Sequence, residues 1–191
     1  VIITGETARK KNADAILHSL SGLAGDFIVS VAGPQQESLI SGRGSGAAQY
    51  SREHYQMVTN LDIGGGSANC AVFKGGNLIG GATMNFGGRI LTIDHTSGRV
   101  LHIAQAARYI LQDCQLNLQT GDTPALADLR RFTDRMAEVT LELIEGGTSV
   151  LARQLYLTPP SQVSGAGSSL MFSGGVGHYY YHPVEIRTLT D

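Results

Sequence analysis

The sequence has few of the residues that mark several large classes of protein. Only two cysteines, Cys70 and Cys114, occur among 191 residues, which excludes a scaffold of disulfide bonds. Charged residues make up 16% of the chain and the formal net charge is −2, so nothing indicates nucleic acid or an anionic membrane as a partner. No apolar run is long enough to span a membrane, and the P-loop pattern Gly-x-x-x-x-Gly-Lys-Ser/Thr is absent. The remaining features are typical of a soluble α/β domain.

Glycine, in contrast, is abundant in turns between apolar segments. The 25 glycines make up about 13% of the chain, against a usual share of about 7%. In the most informative turn, Asp62 closes an apolar run, three glycines follow at 64–66, and Ser67 precedes the next apolar run. Successive glycine amides can close around an anion, and a carboxylate such as Asp62 can hold the water shell of Mg²⁺. The pattern predicts a phosphate site; a tight glycine hairpin capped by aspartate is the alternative.

Hydrophobic periodicity predicts the elements around this turn. Three strands over 57–63, 68–73 and 78–83 form an antiparallel meander, and a hairpin with strands at 89–94 and 99–103 follows. A buried strand over 27–32 precedes a short helix that begins at Gln36. The longest helix is predicted to have Thr123 as its N-cap, Pro124 at its first position and Gly146 at its end. The expected fold class is α/β, a mixed sheet with antiparallel hairpins flanked by helices.

These segments resemble the actin-like ATPase superfamily. The run 62–67 resembles its second phosphate motif, the Gly-Gly pair at 87–88 resembles the element that closes that region, and the run 170–177 resembles its adenosine motif. The resemblance implies an actin-like, ribonuclease H-like ATPase lobe over residues 1–191, with ATP and Mg²⁺ as cofactors. It implies that Asp62 is catalytic and holds Mg²⁺ through water. The implied nucleotide-binding residues are Gly64, Gly65, Gly66, Ser67, Gly174 and Gly175.

Glu37 is the second candidate catalytic carboxylate. In the superfamily an acidic residue commonly lies before the second phosphate strand and orients the water that attacks the γ-phosphate. The stretch 32–40 resembles the corresponding helix start in the exopolyphosphatase branch, which implies that role for Glu37. An exposed glutamate that caps a helix is the alternative, because geometry has to identify a general base.

A narrower resemblance covers nearly the whole chain. The segments 3–10, 20–27, 32–34 and 37–38, together with the Asn-x-Gly-Gly-Arg run at 85–89, resemble the family of ethanolamine ammonia-lyase reactivating factors. This implies a chaperone-like ATPase that uses nucleotide-driven lobe movement to release damaged cobalamin from the lyase, so that intact adenosylcobalamin can enter. The implied partners are ethanolamine ammonia-lyase and nucleotide, in the cytoplasm, with association with a bacterial microcompartment as a further expectation. The alternatives are a small-molecule kinase or phosphatase of the same fold, and a non-hydrolysing binding or filament module.

The superfamily's first phosphate motif, an Asp-x-Gly-Thr/Ser hairpin, is absent from the chain. The sequence begins without methionine and stops soon after the glycine turn at Gly174. We therefore expect an internal fragment, a partial domain that lacks the first phosphate motif and the C-terminal part. ATPase activity is expected of the full-length protein and not of this fragment.

Three further patterns resemble binding motifs but have simpler explanations. The run 42–47 fits the dinucleotide fingerprint Gly-x-Gly-x-x-Gly/Ala, but it follows a predicted helix where the fingerprint requires a strand. His178 and His182 are spaced as a pair of helical metal ligands, without an evident third ligand. The three tyrosines at 179–181 fit an adenine-stacking platform and an interface patch equally well.

Overall fold

The computed structural model describes residues 2–3, 30–31 and 34–185. The strands are β1 (Ile2–Ile3), β2 (Ser30–Val31), β3 (Met57–Ile63), β4 (Ala68–Lys74), β5 (Asn77–Met84), β6 (Leu91–Ile93), β7 (Val100–Ile103) and β8 (Ser169–Ser173). The helices are α1 (Pro34–Gly44), α2 (Ala47–Glu53), α3 (Gln105–Asp113), α4 (Leu126–Glu145), α5 (Val150–Leu155) and α6 (Gly174–Tyr181). The expected mixed α/β class is confirmed, whereas the segments 4–10 and 20–27 lie outside the described residues.

The predicted meander forms most of a four-stranded sheet of order β5-β4-β3-β8. Strands β3, β4 and β5 pair antiparallel, as the short turns between them require. Strand β8 arrives more than a hundred residues after β3 and pairs with it in parallel, with Asp62 opposite Ser173. The sheet is therefore mixed, and its only parallel pair among the described residues brings two distant segments side by side.

Both faces of this sheet are covered, so six consecutive residues of β4 are buried. Helices α1 and α2 cover one face, where Ala47, Ala48 and Leu39 pack against Val58, Ala71 and Phe73. Helices α3, α4 and α5 cover the other face and form the larger core with β3, β4 and β5. Successive strand residues point to opposite faces. The side chains at 58, 60 and 62 therefore face α1 and α2.

The predicted β6–β7 hairpin is present, and the long helix that follows ends as expected but begins later. Gly146 adopts a left-handed conformation (φ 77°) that closes α4. The predicted N-cap at Thr123 is wrong, because the cap is Ala125 and the helix starts at Leu126. The reason is a contact distant in sequence: Val100 exchanges backbone hydrogen bonds of 2.8 Å with Gly121 and Asp122. This pairing holds residues 121 and 122 against β7, and α4 begins only after them.

Two short helices are absent from the sequence-based prediction. Helix α2 follows Gly46, and α5 is capped by Ser149, whose side chain accepts from the amide of Ala152. Each buries small and aliphatic residues against the sheet. Among the described residues, no helix combines the length and apolar character that crossing a bilayer needs.

Candidate phosphate site between two glycine turns

The parallel pairing of β3 with β8 brings the two predicted glycine turns to the same edge of the sheet. Strand β3 ends at Ile63 and leads into the glycines at 64–66, while β8 ends at Ser173 and leads directly into α6. Gly174, the first residue of α6, has φ of 77° and packs against the side chain of Asp62 and the carbonyl of Ile63. A side chain at 174 would collide with both, so glycine is required there. The structure thus places Asp62, the triple-glycine turn and Gly174 together.

The triple-glycine turn is held by the segment that carries the Gly-Gly pair. The amide of Gly64 donates to the carbonyl of Ser67 (3.0 Å), which closes the turn itself. The amides of Gly88 and Arg89 donate to the carbonyls of Gly64 (2.9 Å) and Gly65 (2.7 Å). These bonds engage the carbonyl groups of Gly64 and Gly65 and fix the turn against the segment 87–89.

Gly87 is buried beneath this contact. A Cβ at residue 87 would lie 2.5 Å from the carbonyl oxygen of Gly64 and 2.8 Å from the amide nitrogen of Gly66. Both atoms belong to the backbone and cannot rotate away. Gly64, Gly65 and Gly66 do not have positive φ. Hence the absence of a Cβ atom at Gly87 lets the backbone of residues 64–66 approach it closely, and no glycine of this contact is needed for an unusual backbone conformation.

The open side of the site is formed by Gly66, Gly175 and Ser67. A Cβ added at Gly66 or Gly175 would meet no atom within 4 Å, and both residues are exposed. The Ser67 side chain is half-buried and makes no hydrogen bond to another described residue. Space at Gly66 and at Gly175 is therefore accessible at this edge of the sheet, and a turn of successive glycine amides is a kind of segment that can favour an anion.

Asp62 is the carboxylate at the centre of this arrangement. Burial raises its pKa above the ordinary value of 3.8, while hydrogen bonds from Ser41 and Ser173 favour the charged form and act in the opposite direction. The carboxylate is half-buried, so one part remains accessible from the open side. No group of three or more His, Cys, Asp or Glu side chains suited to a metal lies within the described residues. A cation here would therefore take most of its ligands from water and phosphate, as Mg²⁺ commonly does.

A chain of buried polar groups connects Asp62 to the neighbouring strand. Asn60 is fully buried, and its Nδ2 donates to Oγ of Ser173 (3.1 Å), which in turn hydrogen-bonds the Asp62 carboxylate. The Oδ1 atom of Asn60 is buried without a hydrogen-bond partner. A buried acceptor left unpaired costs about 1–3 kcal/mol. Asn60 therefore connects to Asp62 through Ser173 at a cost to the free energy of unfolding.

Glu37 lies in the first turn of α1, as predicted, and is half-buried. It is four residues from Ser41, so the two side chains share one face of the helix at a Cβ separation of about 5–6 Å. Ser41 contacts Asp62, and its hydroxyl also lies 3.2 Å from the carbonyl of Ser38. Glu37 is therefore one helical turn from a direct partner of Asp62. An acidic residue in a first turn also favours the helix itself, so both interpretations of Glu37 stand.

The aromatic residues of α6 attach the helix to the sheet. The amide of Phe172 donates to the hydroxyl oxygen of Tyr181 (3.2 Å), and the rings of Phe172 and Tyr180 are 4.4 Å apart. The rings of His178 and His182 lie 4.6 Å apart, and both residues are exposed. These contacts explain two of the tyrosines structurally and attach the end of α6 to β8.

A large cavity lies on the other side of the Gly-Gly segment. It has a volume of about 690 Å³ between α4 and the strands β3 and β8, and its lining includes Phe86, Leu129 and Phe172. The lining is mainly apolar. It therefore lacks the density of donors that a phosphate group requires, in contrast to the edge at Gly66.

Sequence reasoning missed the partners that complete the site: Asn60, Ser41, Ser173 and Arg89. Two of them could have been found from spacing. Asn60 is two residues before Asp62 and so on the same strand face, and Ser173 immediately precedes the predicted glycine turn. Ser41 required knowledge of how α1 packs, which the local sequence does not contain.

Comparison with known proteins gives a family match over almost the whole chain. The family described as ethanolamine utilisation protein EutA matches residues 1–190. The ethanolamine ammonia-lyase reactivase EutA of Escherichia coli (strain K12) is 40% identical over 182 residues, which are 95% of this chain and 39% of that protein. The protein of the same name from Salmonella typhimurium is 38% identical over 180 residues, 94% of this chain and 38% of that protein. The chain thus spans about two fifths of the length of the curated relatives it matches.

Solved structures show weaker likenesses. A member of the Ppx/GppA protein family from Aquifex aeolicus matches 96% of this chain and 47% of its own, with a TM-score of 0.46 and 18% identity. An exopolyphosphatase-like protein matches 73% of this chain and 36% of its own, with a TM-score of 0.43 and 16% identity. At these scores the likeness carries no argument about the site.

Proposed function

Because the chain belongs to the family of ethanolamine utilisation protein EutA, we propose that the full-length protein is an ATP-dependent reactivating factor for ethanolamine ammonia-lyase. The observation that carries the proposal is identity of 40% to a reactivase over 95% of this chain. The juxtaposition of two glycine turns with a half-buried carboxylate supports it, because a reactivase that uses nucleotide needs a phosphate site. The domain is then part of an actin-like ATPase lobe.

The residues present fit a nucleotide with Mg²⁺. The amides of the turn 64–66 and the hydroxyl of Ser67 would donate to phosphate oxygens. Asp62 would hold the water shell of the cation, since one carboxylate plus water and phosphate ligands suits Mg²⁺. Gly175 would let the nucleotide approach the start of α6, because the space beside it is open, and Gly174 would let α6 begin directly against Asp62. Glu37 would orient water from α1. When bound, ATP with Mg²⁺ supplies the free energy that distinguishes two shapes of the protein.

Reactivation by such a protein requires two nucleotide states with different affinity for the lyase, because a ligand shifts an equilibrium only by its differential affinity. The turn 64–66 is bonded to the segment 87–89, which continues into the β6–β7 hairpin. A change at the turn is therefore transmitted directly to that hairpin through two backbone hydrogen bonds. In the lyase-bound state this change would release damaged cobalamin, so that intact adenosylcobalamin can enter.

The test is recovery of lyase activity. Ethanolamine ammonia-lyase blocked by a damaged cobalamin is incubated with the full-length protein, Mg·ATP and fresh adenosylcobalamin, and ammonia or acetaldehyde is measured. Recovery is expected only when all three are present. Asp62→Asn, which keeps the shape of the side chain and removes its charge, should bind the lyase without restoring activity. Thr148→Val, on the exposed turn between α4 and α5 and outside the β6–β7 hairpin, is the control and should reactivate normally.

Two results would overturn the proposal. Equal recovery without nucleotide would show that the phosphate site has no part in reactivation. No recovery under any condition, combined with nucleotide hydrolysis stimulated by a small molecule, would favour a kinase or phosphatase.

A further inference from the structure

Arg89 is a cation whose side chain lies against the triple-glycine turn. Its backbone is fixed there, since its amide donates to the carbonyl of Gly65 (2.7 Å). The position that a Cβ at Gly65 would take is 3.3 Å from Cδ of Arg89 and 3.6 Å from its Cβ and Cγ. The aliphatic part of Arg89 therefore runs along Gly65 and occupies the space that any larger residue at 65 would fill.

Arg89 forms no ion pair within the described part of the chain. Other arginines do: Arg131 pairs with Asp128, and Arg135 pairs with Asp113 and Glu138. Asp62, near the end of β3, receives its hydrogen bonds from Ser41 and Ser173 and not from Arg89. Arg89 is also exposed. The guanidinium is thus free to bind an anion, although its aliphatic chain is held by packing.

The combination of these two features points to a ligand. A turn of glycine amides attracts negative charge by its geometry, and an unpaired guanidinium beside it adds a full charge and a planar set of five donors. From Cδ the guanidinium carbon is two bonds away, about 2.5 Å further. This length suffices to reach a group seated on the turn. Arg99 is also exposed and without an ion pair in the described part of the chain, so the neighbouring glycine turn is what distinguishes Arg89.

We propose that Arg89 binds the terminal phosphate groups of the nucleotide at this turn and makes the site selective for polyphosphates over monophosphates. The inference rests on the proposed nucleotide function and deepens it. The glycine turn supplies neutral donors to any phosphate, whereas Arg89 supplies the positive charge that grows in value with the charge of the ligand. Binding of nucleoside triphosphate and diphosphate depends on Arg89, and binding of nucleoside monophosphate does not.

The experiment compares nucleotide affinities in the full-length protein by isothermal titration calorimetry with Mg·ATP, Mg·ADP and AMP. Arg89→Gln should raise the Kd for Mg·ATP by about 10-fold to 100-fold, the usual effect of losing a charge-assisted hydrogen bond. The Kd for AMP should change by less than about twofold, and Arg89→Lys should fall between wild type and Arg89→Gln for Mg·ATP. Arg99→Gln is the matched control, because Arg99 is also exposed and lies at the far end of the β6–β7 hairpin. It should bind like wild type.

Each other outcome refutes the inference in a distinguishable way. If Arg89→Gln binds Mg·ATP as wild type does, Arg89 has no phosphate role although the nucleotide function stands. If Mg·ATP and AMP weaken equally and the Tm falls, Arg89 is structural. If the wild-type protein binds no nucleotide at all, the proposed function and this inference fail together.

Discussion

Two glycines at the same contact, Gly87 and Gly66, should differ sharply in how much stability they lose when each is replaced by alanine. Gly87→Ala places a methyl group 2.5 Å from the carbonyl oxygen of Gly64 and 2.7 Å from the carbonyl carbon of Gly65. Contacts of this length force the turn and the segment 87–89 apart. Gly66→Ala places the same methyl group where no atom lies within 4 Å. Neither residue has positive φ, so backbone strain is equal and absent in both variants.

The magnitude follows from what the separation breaks. Two backbone hydrogen bonds, of 2.9 and 2.7 Å, join 88 and 89 to the turn. Each contributes about 1 kcal/mol to the free energy of unfolding. Overpacking of a well-packed region adds about 1–3 kcal/mol when the structure yields only partly. We expect Gly87→Ala to lose about 3–5 kcal/mol and Gly66→Ala to change by less than about 0.5 kcal/mol.

The assay is urea denaturation of the 191-residue chain, followed by far-UV circular dichroism at one temperature. The midpoint for Gly87→Ala should fall well below wild type, and the midpoint for Gly66→Ala should coincide with it. The slope of the transition should be the same for all three proteins, because the surface exposed on unfolding is unchanged. Equal midpoints for both variants would refute the reasoning, since the 87–89 segment would then not pack against the turn as described.

Three further predictions concern Asp62, the cysteines and the hydrolytic activity of the 191-residue chain. Burial raises the pKa of Asp62 above 3.8, so ionisation of this carboxyl disfavours the folded state. The stability advantage of Asp62→Asn over wild type should therefore grow as pH rises from 3.8 to 7, and a difference between their urea midpoints that grew as pH fell would contradict this. Burial raises the pKa of Cys70 to about 12, whereas Cys114 is only half-buried, so iodoacetamide should modify Cys114 first in the native chain, as mass spectrometry would detect. The 191-residue chain alone should hydrolyse no measurable ATP in a phosphate-release assay, because phosphoryl transfer depends on groups positioned from both lobes; turnover equal to that of the full-length protein would contradict the assignment of a partial site.

The strands and both glycine turns could be predicted because their signals are local. The predicted strands over 57–63, 68–73 and 78–83 differ from the observed ones by a residue at most, since alternation and turn residues specify them directly. The end of α4 was also predictable, because Gly146 supplies the conformation that terminates a helix. The roles of Asp62, Glu37 and the glycines of the site stay predictions that the binding and reactivation experiments address.

What could not be predicted depends on contacts distant in sequence. Helix α4 starts at Leu126 and not at the predicted Pro124, because β7 pairs with residues 121 and 122. No local pattern encodes that pairing. Helix α5 has six residues, fewer than a periodic pattern needs to be recognised. The hydrogen bonds of Asp62 to Ser41 and Ser173 join α1 and β8 to β3 across 21 and 111 positions of the chain. Ser41 and Ser173 can be identified as partners of Asp62 only when the order of the strands and the packing of α1 are known.

The features that cost stability are concentrated at one end of β3. Asp62 is a half-buried carboxylate with a raised pKa, Asn60 has an unpaired buried oxygen, and Gly87 leaves no room for any side chain. A sheet optimised for stability alone would replace the first two with apolar residues of similar size. A binding site beside the glycine turn would account for both polar residues, because functional sites are where the rules of stability are commonly broken. Asp62→Asn should therefore separate stability from reactivation. It relieves the cost of burying a charge, and it removes the charge that the proposed cation site requires.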